Sequence, residues 1–231
     1  MIYVGIDDTD VIGSPGTNKL AQSMVRNAAG EFRSIMAVRH QLLFDPRVPY
    51  TNKNGSASIL FEPRGAASID GLRELLRRAI RDWFVEGSDP GLCITERVPP
   101  EVVEFGRRCQ RDVVSQQAAR ELAAEHAVYL EGLGGTEDGV IGALAAVGLV
   151  AGGNDGRVVN LGNYPNDLAG VQDVAMLFRR GVDEIRVVGS DEVLGDGNVD
   201  IGKHLRPNYR GRKIVLFVER APDGWQAVRF K

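Results

Sequence analysis

Three carboxylates fall within four positions of this chain, Asp7, Asp8 and Asp10, with only Thr9 between them. They follow a short apolar run, Ile2 to Ile6, whose length and residue types are those of a buried strand. Charges packed this closely repel one another unless a cation or tight hydrogen bonding offsets them. A hard divalent cation such as Mg²⁺, held by one or two carboxylates plus substrate phosphates, is the natural counter-ion. The end of a buried strand is also where open α/β sheets place their ligands. The competing reading is an acidic turn that caps the next helix, although three acids exceed what capping needs.

Three further stretches concentrate polar chemistry. In Asp45 to Gly55, Arg47, Thr51, Asn52, Lys53 and Asn54 crowd one loop, where cations can neutralise phosphate oxygens and amides orient them. The bland alternative is a solvated polar loop. The glycine-rich entry at Gly139 to Gly148 begins a small-residue helix, whose N-terminus is a ready phosphate site. Glu137 and Asp138 oppose that use, and close packing on a sheet explains the small residues equally well. Last, Gly195-Asp196-Gly197-Asn198-Val199-Asp200, followed by Lys203, His204, Arg206 and Arg210, reads as a metal loop beside an anion patch or as a turn with a solvated basic face.

The elements that position these groups follow from periodicity. Helices are predicted from Thr17 to about Ala28, from Ser68 through Trp83 or Phe84, from Pro99-Pro100 through about Leu130, over 139–148 and over 167–180. Strands are predicted over 2–6, 33–44, 56–62, 92–95, 158–161 and 184–188. A terminal hairpin pairs 213–219 with 225–230 across Pro222-Asp223-Gly224. The fold class is α/β (α+β): a mixed β-sheet flanked by helices, with a smaller α+β C-terminal part. The division expected is 1–152 for the first domain and 153–231 for a compact subdomain.

Composition excludes several classes. The 231 residues are 43% hydrophobic and 26% charged with a formal net charge of −3, an ordinary globular balance that announces no nucleic-acid binder. Two cysteines, Cys93 and Cys109, and three scattered histidines form no zinc motif, and the thiols read as reduced and buried. No apolar run reaches the roughly 18 residues of a membrane span, and the N-terminus is unlike a signal peptide, so a cytoplasmic protein with no membrane partner is expected.

A series of short blocks occurs in order: Gly5-Ile6-Asp7-Asp8-Thr9-Asp10, Thr17 with Leu20-Ala21, Pro46 to Pro49, Lys53-Asn54-Gly55-Ser56-Ala57, Asp89-Pro90-Gly91 and Ile141 to Gly148. Together they resemble the N-terminal kinase-like domain of archaeal tRNA(Ile) agmatidine synthetase, over roughly residues 1–150. The tail around Asn198-Val199-Asp200 and Val215-Leu216-Phe217 is similar to the start of that family's ferredoxin-like domain.

The resemblance implies an ATP and Mg²⁺ site in which a phosphoryl group activates a cytidine oxygen before an amine displaces it. It implies Asp7, Asp8 and Asp10 as metal and catalytic carboxylates. Thr9, Thr17, Asn18 and the Lys53-Asn54-Gly55 loop would surround the nucleotide, with Gly139 to Gly142 near the phosphates.

Two departures qualify the match. Asn18 stands where the family has a second threonine, and Asp138-Gly139 stands where it has Arg-Gly. The sequence also ends without the family's OB-fold and zinc ribbon, which hold tRNA. The expectation is a Mg²⁺- and ATP-dependent phosphoryl-transfer enzyme acting on a nucleoside-like or small-molecule acceptor, with tRNA the less supported partner. Two alternatives stand beside it. One is a haloacid-dehalogenase-like phosphatase, with Asp8-Thr9-Asp10 and the 195–200 loop as its first and last acidic motifs. The other is a non-catalytic nucleotide- or tRNA-binding module.

Overall fold

A computed structural model describes residues 1–48, 54–164, 166–222 and 224–229. In chain order the elements are β1 (Ile2–Asp7), α1 (Thr17–Ala28), β2 (Phe32–Arg39), β3 (Ala57–Pro63), α2 (Ile69–Trp83), β4 (Gly91–Thr95), α3 (Pro100–Cys109), α4 (Gln116–Glu125), β5 (Tyr129–Gly132), α5 (Gly139–Gly152), β6 (Arg157–Leu161), β7 (Val171–Asp173), α6 (Val174–Arg179), β8 (Glu184–Val187), β9 (Asn198–Asp200), β10 (Asn208–Arg210), β11 (Lys213–Ala221) and β12 (Gly224–Ala227). The strands join one mixed sheet in the order β5-β4-β1-β3-β2-β6-β10-β11-β12-β9-β7, with β8 alongside β11. This is the α+β class with helices flanking a mixed sheet that the periodicity leads one to expect.

Strand β1 lies between β4 and β3 and is antiparallel to both. The rule for ligands at parallel strand ends therefore does not apply to it. Its alternation decides what each face meets. Ile2, Val4 and Ile6 pack with Leu20, Met24, Leu72, Leu76 and Ile80 from α1 and α2. The opposite face carries Gly5, and there α5 lies against the sheet with α3 beyond it.

Helix α5 is apolar on every side and almost wholly buried, as a helix enclosed by other elements must be. Its approach to the sheet is backbone against backbone. A side chain at Gly5 would collide with the Ala143 carbonyl, one at Gly91 with the Gly139 peptide, and one at Gly148 with the Val102 carbonyl of α3. The small residues of 139–148 thus serve close packing first.

The structure departs from the periodicity at several elements and bears out the hairpin. Strand β2 ends at Arg39; the His40 and Leu42 N–H groups still donate to the Ser56 and Asn54 carbonyls, both at 2.9 Å, before the chain enters the loop beside the cavity described below. The helical region from Pro100 to Leu130 is two helices and a strand: α3 stops at Cys109, Ser115 caps α4 by accepting from the Ala118 N–H at 3.2 Å, and β5 pairs with β4. The helix expected over 167–180 is only α6, preceded by β7. Gly170 holds a left-handed φ of +67°, and Asp173 caps α6 by accepting from the Ala175 N–H at 2.8 Å. The terminal hairpin forms with Val218 opposite Ala227 and Ala221 opposite Gly224, and Asp223 of its turn lies outside the described residues.

Past residue 152 the sheet continues without interruption, since β6 pairs with β2. A separate aliphatic core there gathers Val174, Leu177, Ile185, Val199, Leu216 and Val218.

Candidate functional site

The first strand delivers Asp7, Asp8 and Asp10 to the floor of a cavity of about 320 Å³. Thr17, Asn54, Gly55, Gly139 and Gly142 line it as well, together with Asp112, Asp138, Cys109 and an apolar wall of Leu42, Leu43, Val48, Val113, Val114 and Ile141. Its volume falls within the range of small-molecule sites. The lining combines these acids with aliphatic side chains, a composition that suits an amphiphilic ligand.

The three carboxylates do different work. Asp10 Oδ1 accepts from the Thr17 hydroxyl at 2.9 Å and from the Thr17 N–H at 3.3 Å. Gly16, the residue at the cap position, contributes no side chain, so Asp10 caps α1 from six residues upstream. Thr9, only 1% exposed, donates to the Thr17 hydroxyl at 3.1 Å and sits behind it. For Asp10 the capping reading of the acidic cluster is therefore correct.

Asp7 and Asp8 are left facing the cavity. Burial, with Asp8 next to it, pushes Asp7 up to about 7. Burial, then Asp89, Asp10 and Asp138, push Asp8 up to about 6. Asp8 also adopts φ +49°, a left-handed conformation that aspartate tolerates better than most residues and that commonly marks functional turns. A side chain at Gly142 would overlap the Asp7 carboxylate, so the absence of a Cβ there is what lets α5 close over it. Gly139 is equally constrained, its N–H donating to the Asp89 carbonyl at 3.0 Å.

Cations are scarce around these acids. Arg47 lines the cavity, but its Nε and Nη2 both donate to Asp45 at 2.8 Å, and those bonds hold Asp45 down at about 2. Arg39, just outside the lining and missed in the sequence, is the cation whose charge reaches Asp7. Burial lowers its own pKa and Asp7 acts against that. Gly55 makes room for it, since a side chain there would meet the guanidinium.

Asn54 Nδ2 donates to the Leu43 carbonyl at 2.8 Å and fixes the apolar wall. Asn18 is outside the cavity lining, and Thr51, Asn52 and Lys53 lie outside the described residues. Among the described residues, no group of three His, Cys, Asp or Glu side chains is drawn together tightly enough to enclose a metal ion. Asp7 and Asp8 nonetheless fit an ion that takes one or two carboxylates and draws its other ligands from a phosphate ligand.

Two other sequence candidates are resolved by position. β9, which carries Asn198 to Asp200, pairs with β12 and β7 around the distal aliphatic core, and none of its residues lines the cavity. The two acidic motifs of the phosphatase reading therefore cannot share a site, and β1 lacks the parallel neighbours that reading needs.

His40, one of three histidines scattered along the sequence, belongs to a buried network. It is fully buried, with Nδ1 2.7 Å from Asp155 Oδ2 and Nε2 2.8 Å from Ser58 Oγ. Ser58 is 0% exposed and is not part of the cavity lining, so this serine–histidine–aspartate chain ties the turn after α5 to β2 and β3 rather than meeting a substrate there. Gln110 adds a bond to Asp155 at 3.0 Å. Despite the burial of Asp155, these bonds hold its carboxyl below the usual range. Cys93 and Cys109 are free and buried, and burial raises both thiols, Cys109 to about 12. No helix of the described residues is long and apolar enough to cross a membrane.

Comparison with known proteins agrees with the resemblance in the sequence. No family model matches the chain. The chain is 28% identical over 152 residues to tRNA(Ile2) 2-agmatinylcytidine synthetase TiaS of Archaeoglobus fulgidus, covering 64% of this chain and 35% of that protein. A crystal structure of TiaS with tRNA(Ile2) and ATP matches 64% of the chain at 25% identity and a TM-score of 0.56. The structure of TiaS without ligands matches the same share at 25% identity and a TM-score of 0.53. The chain is thus a partial relative of TiaS, spanning about a third of its length.

Proposed function

We propose that the cavity at the end of β1 binds ATP as its Mg²⁺ complex and that the chain transfers a phosphoryl group to a nucleoside-like or small-molecule acceptor. One observation carries this reading. Asp7 and Asp8 lie side by side at the cavity floor, partly buried, and that burial pushes both above the usual carboxylate range. Two such groups are relieved most directly by a divalent cation, which would neutralise phosphate charge and polarise the phosphoryl oxygens. The similarity of 64% of the chain to a TiaS structure that contains ATP supports the choice of nucleotide.

In this reading Asp7 and Asp8 hold the metal. Asp10 positions the Thr17 hydroxyl and the first turn of α1, with Thr9 braced behind. Thr17, Asn54 and Gly55 lie around the nucleotide, and Gly139 and Gly142 allow the phosphates close to backbone. The aliphatic wall from Leu42 to Val48 and from Val113 to Val114 takes the base. Residues 1–152 form the nucleotide unit, and 153–231 form an accessory α+β unit.

A second reading has its own observation. Arg47 is the single cationic residue among the described lining residues, and Asp45 already neutralises it. A site this poor in cations fits nucleotide binding without turnover, and Asn18 in place of a threonine agrees with lost chemistry.

Calorimetric titration of ATP with and without Mg²⁺, on the wild type and on the Asp7→Asn/Asp8→Asn double variant, tests the first reading. Metal-dependent binding that the double variant loses supports it. A folded wild type that binds no ATP overturns it. Binding with no turnover across a panel of nucleosides, RNA and small acceptors selects the second reading.

A further inference from the structure

Four arginines gather on one hub outside the cavity. Arg39 ends β2 and stands opposite Arg157 of β6 in the antiparallel ladder, so the two side chains are cross-strand neighbours on one face. On its other side Arg157 is paired with Asn208 of β10, and Pro207 accepts from the Val158 N–H at 2.7 Å. That pairing brings Arg206 to the same place. Asn208 also pairs with Val215 of β11, and on that same edge of β11 Val228 donates to the Phe217 carbonyl at 2.9 Å. The chain after β12 is thus folded back toward β10, and Arg229 comes within electrostatic reach of Arg157.

Arg157 is the centre of the group. Burial and then Arg229 and Arg39 lower its pKa, and burial and then Arg157 lower that of Arg206. Among the described residues none of the four forms an ion pair with a carboxylate, and Arg157 makes no side-chain hydrogen bond. Arg39 donates to Gln41 Oε1 at 3.2 Å, and Arg206 to Asn166 Oδ1 at 2.8 Å and the Leu205 carbonyl at 2.7 Å, all neutral acceptors. Asp7 acts on Arg39 through its charge.

Like charges set opposite one another cost stability unless something offsets them. Arg39, Arg157 and Arg206 are half-buried, which weakens the screening that water gives exposed charges. An anion supplies the missing counter-charge, and the donors select its class. A carboxylate has two oxygens and is filled by a single guanidinium fork. A phosphate group offers three terminal oxygens and up to two negative charges, enough to engage forks that meet from different strands. Because the four arginines converge on Arg157, one such group fills the site.

We propose that Arg157, with Arg39, Arg206 and Arg229 around it, forms a binding site for a single phosphate group, presented as orthophosphate or as the monoester end of a small molecule. The site is separate from the ATP reading. None of the four arginines lines the cavity, and three lie beyond Gly148, the last block of the resemblance to TiaS.

Calorimetric titration of the full chain with sodium phosphate and with phenyl phosphate, in chelator and without nucleotide, tests it. The wild type is expected to bind saturably. Arg157→Ala should weaken binding on the order of tenfold or more, the loss of a charge-assisted contact, and Arg157→Lys should recover part of it. Arg229→Ala, at an exposed position, should weaken it about two- to fivefold. The order of the two affinities identifies whether the site takes the free ion or a monoester, and either order supports the proposal.

No saturable binding of either probe by the folded wild type, or equal affinity in the wild type and Arg157→Ala, overturns it. Should Arg157→Ala fail to fold by circular dichroism, unchanged affinity in Arg229→Ala overturns it instead. Two cross-titrations separate this site from the ATP reading. Arg157→Ala should keep the binding of ATP with Mg²⁺, and Asp7→Asn/Asp8→Asn should keep the binding of phosphate. Phosphate binding that the carboxylate variant loses would assign the anion to the cavity and overturn the arginine site.

Discussion

The β1–α5 seam and the aliphatic core of the C-terminal half fail in opposite ways. At the seam, Gly5, Gly91, Gly139, Gly142 and Gly148 bring peptide against peptide and close a helix over a carboxylate, so added atoms have nowhere to go. In the distal core, Leu177, Ile185, Val199, Leu216 and Val218 fill the space between short strands and α6, so removed atoms leave a void. The difference teaches where the molecule tolerates change. A region set by close backbone approach specifies a site exactly, whereas one set by side-chain volume accepts repacking.

The largest effect should come from adding atoms to the seam. Gly142→Leu places a branched side chain on the Asp7 carboxylate, and a loss of about 3 kcal/mol or more is expected in urea unfolding, with ATP binding abolished in whatever remains folded. If the variant is as stable as the wild type, the seam is looser than its geometry requires.

Removing atoms from the distal core is the matching test. Leu216→Ala, at a side chain 2% exposed, should cost about 2–5 kcal/mol. It should leave ATP affinity unchanged once the protein is folded. A matching loss of affinity would show that the two regions are not separable.

The third prediction concerns pH. Asp7 ionises at 3.8 in the unfolded chain and at about 7 in the folded one. The folded state therefore holds a proton that the unfolded state has lost, and stability should fall as pH rises from about 4 to about 7 and then level off. Asp7→Asn removes the Asp7 share of that dependence and leaves the smaller share of Asp8 between about 4 and about 6. In chelator at pH 8 it should be more stable than the wild type by on the order of 2–4 kcal/mol, with little difference at pH 4. Equal pH profiles for the two proteins would count against a buried, uncompensated Asp7.

The smallest effect is expected at Thr17→Ala, which deletes the hydroxyl between Thr9 and Asp10 and should cost about 1 kcal/mol in thermal unfolding.

Much of this was legible in the sequence. The periodicity of β1, α1, α2 and α5 and the acidic cluster at positions 7–10 led directly to the floor of the cavity, because both are local patterns. What stayed hidden was long-range. Nothing local shows that Asp10 turns back to cap α1 while Asp7 and Asp8 stay in the cavity, because that depends on how the 10–17 loop folds. The break between α3 and α4 was hidden by strong helix formers on both sides of Ser115. That the 195–200 acids sit by the distal core and not at the cavity came only with the fold. Arg39 and Arg157 are separated by more than a hundred residues and become neighbours only through the pairing of β2 with β6.

That same pairing bears on how the chain can be divided. Val158 and Val38 stand opposite each other where β6 closes the exposed side of the eight-residue β2. A fragment ending at Gly152 would lose that partner and present a long strand with unpaired amides and carbonyls, beside Met36 and Val38 stripped of their cover from Val158 and Tyr209. Such an edge is a template for intermolecular strand addition. The half that carries the cavity is therefore expected to aggregate when expressed alone, and to stay monodisperse when Arg157 to Leu161 are kept with a path back to β2.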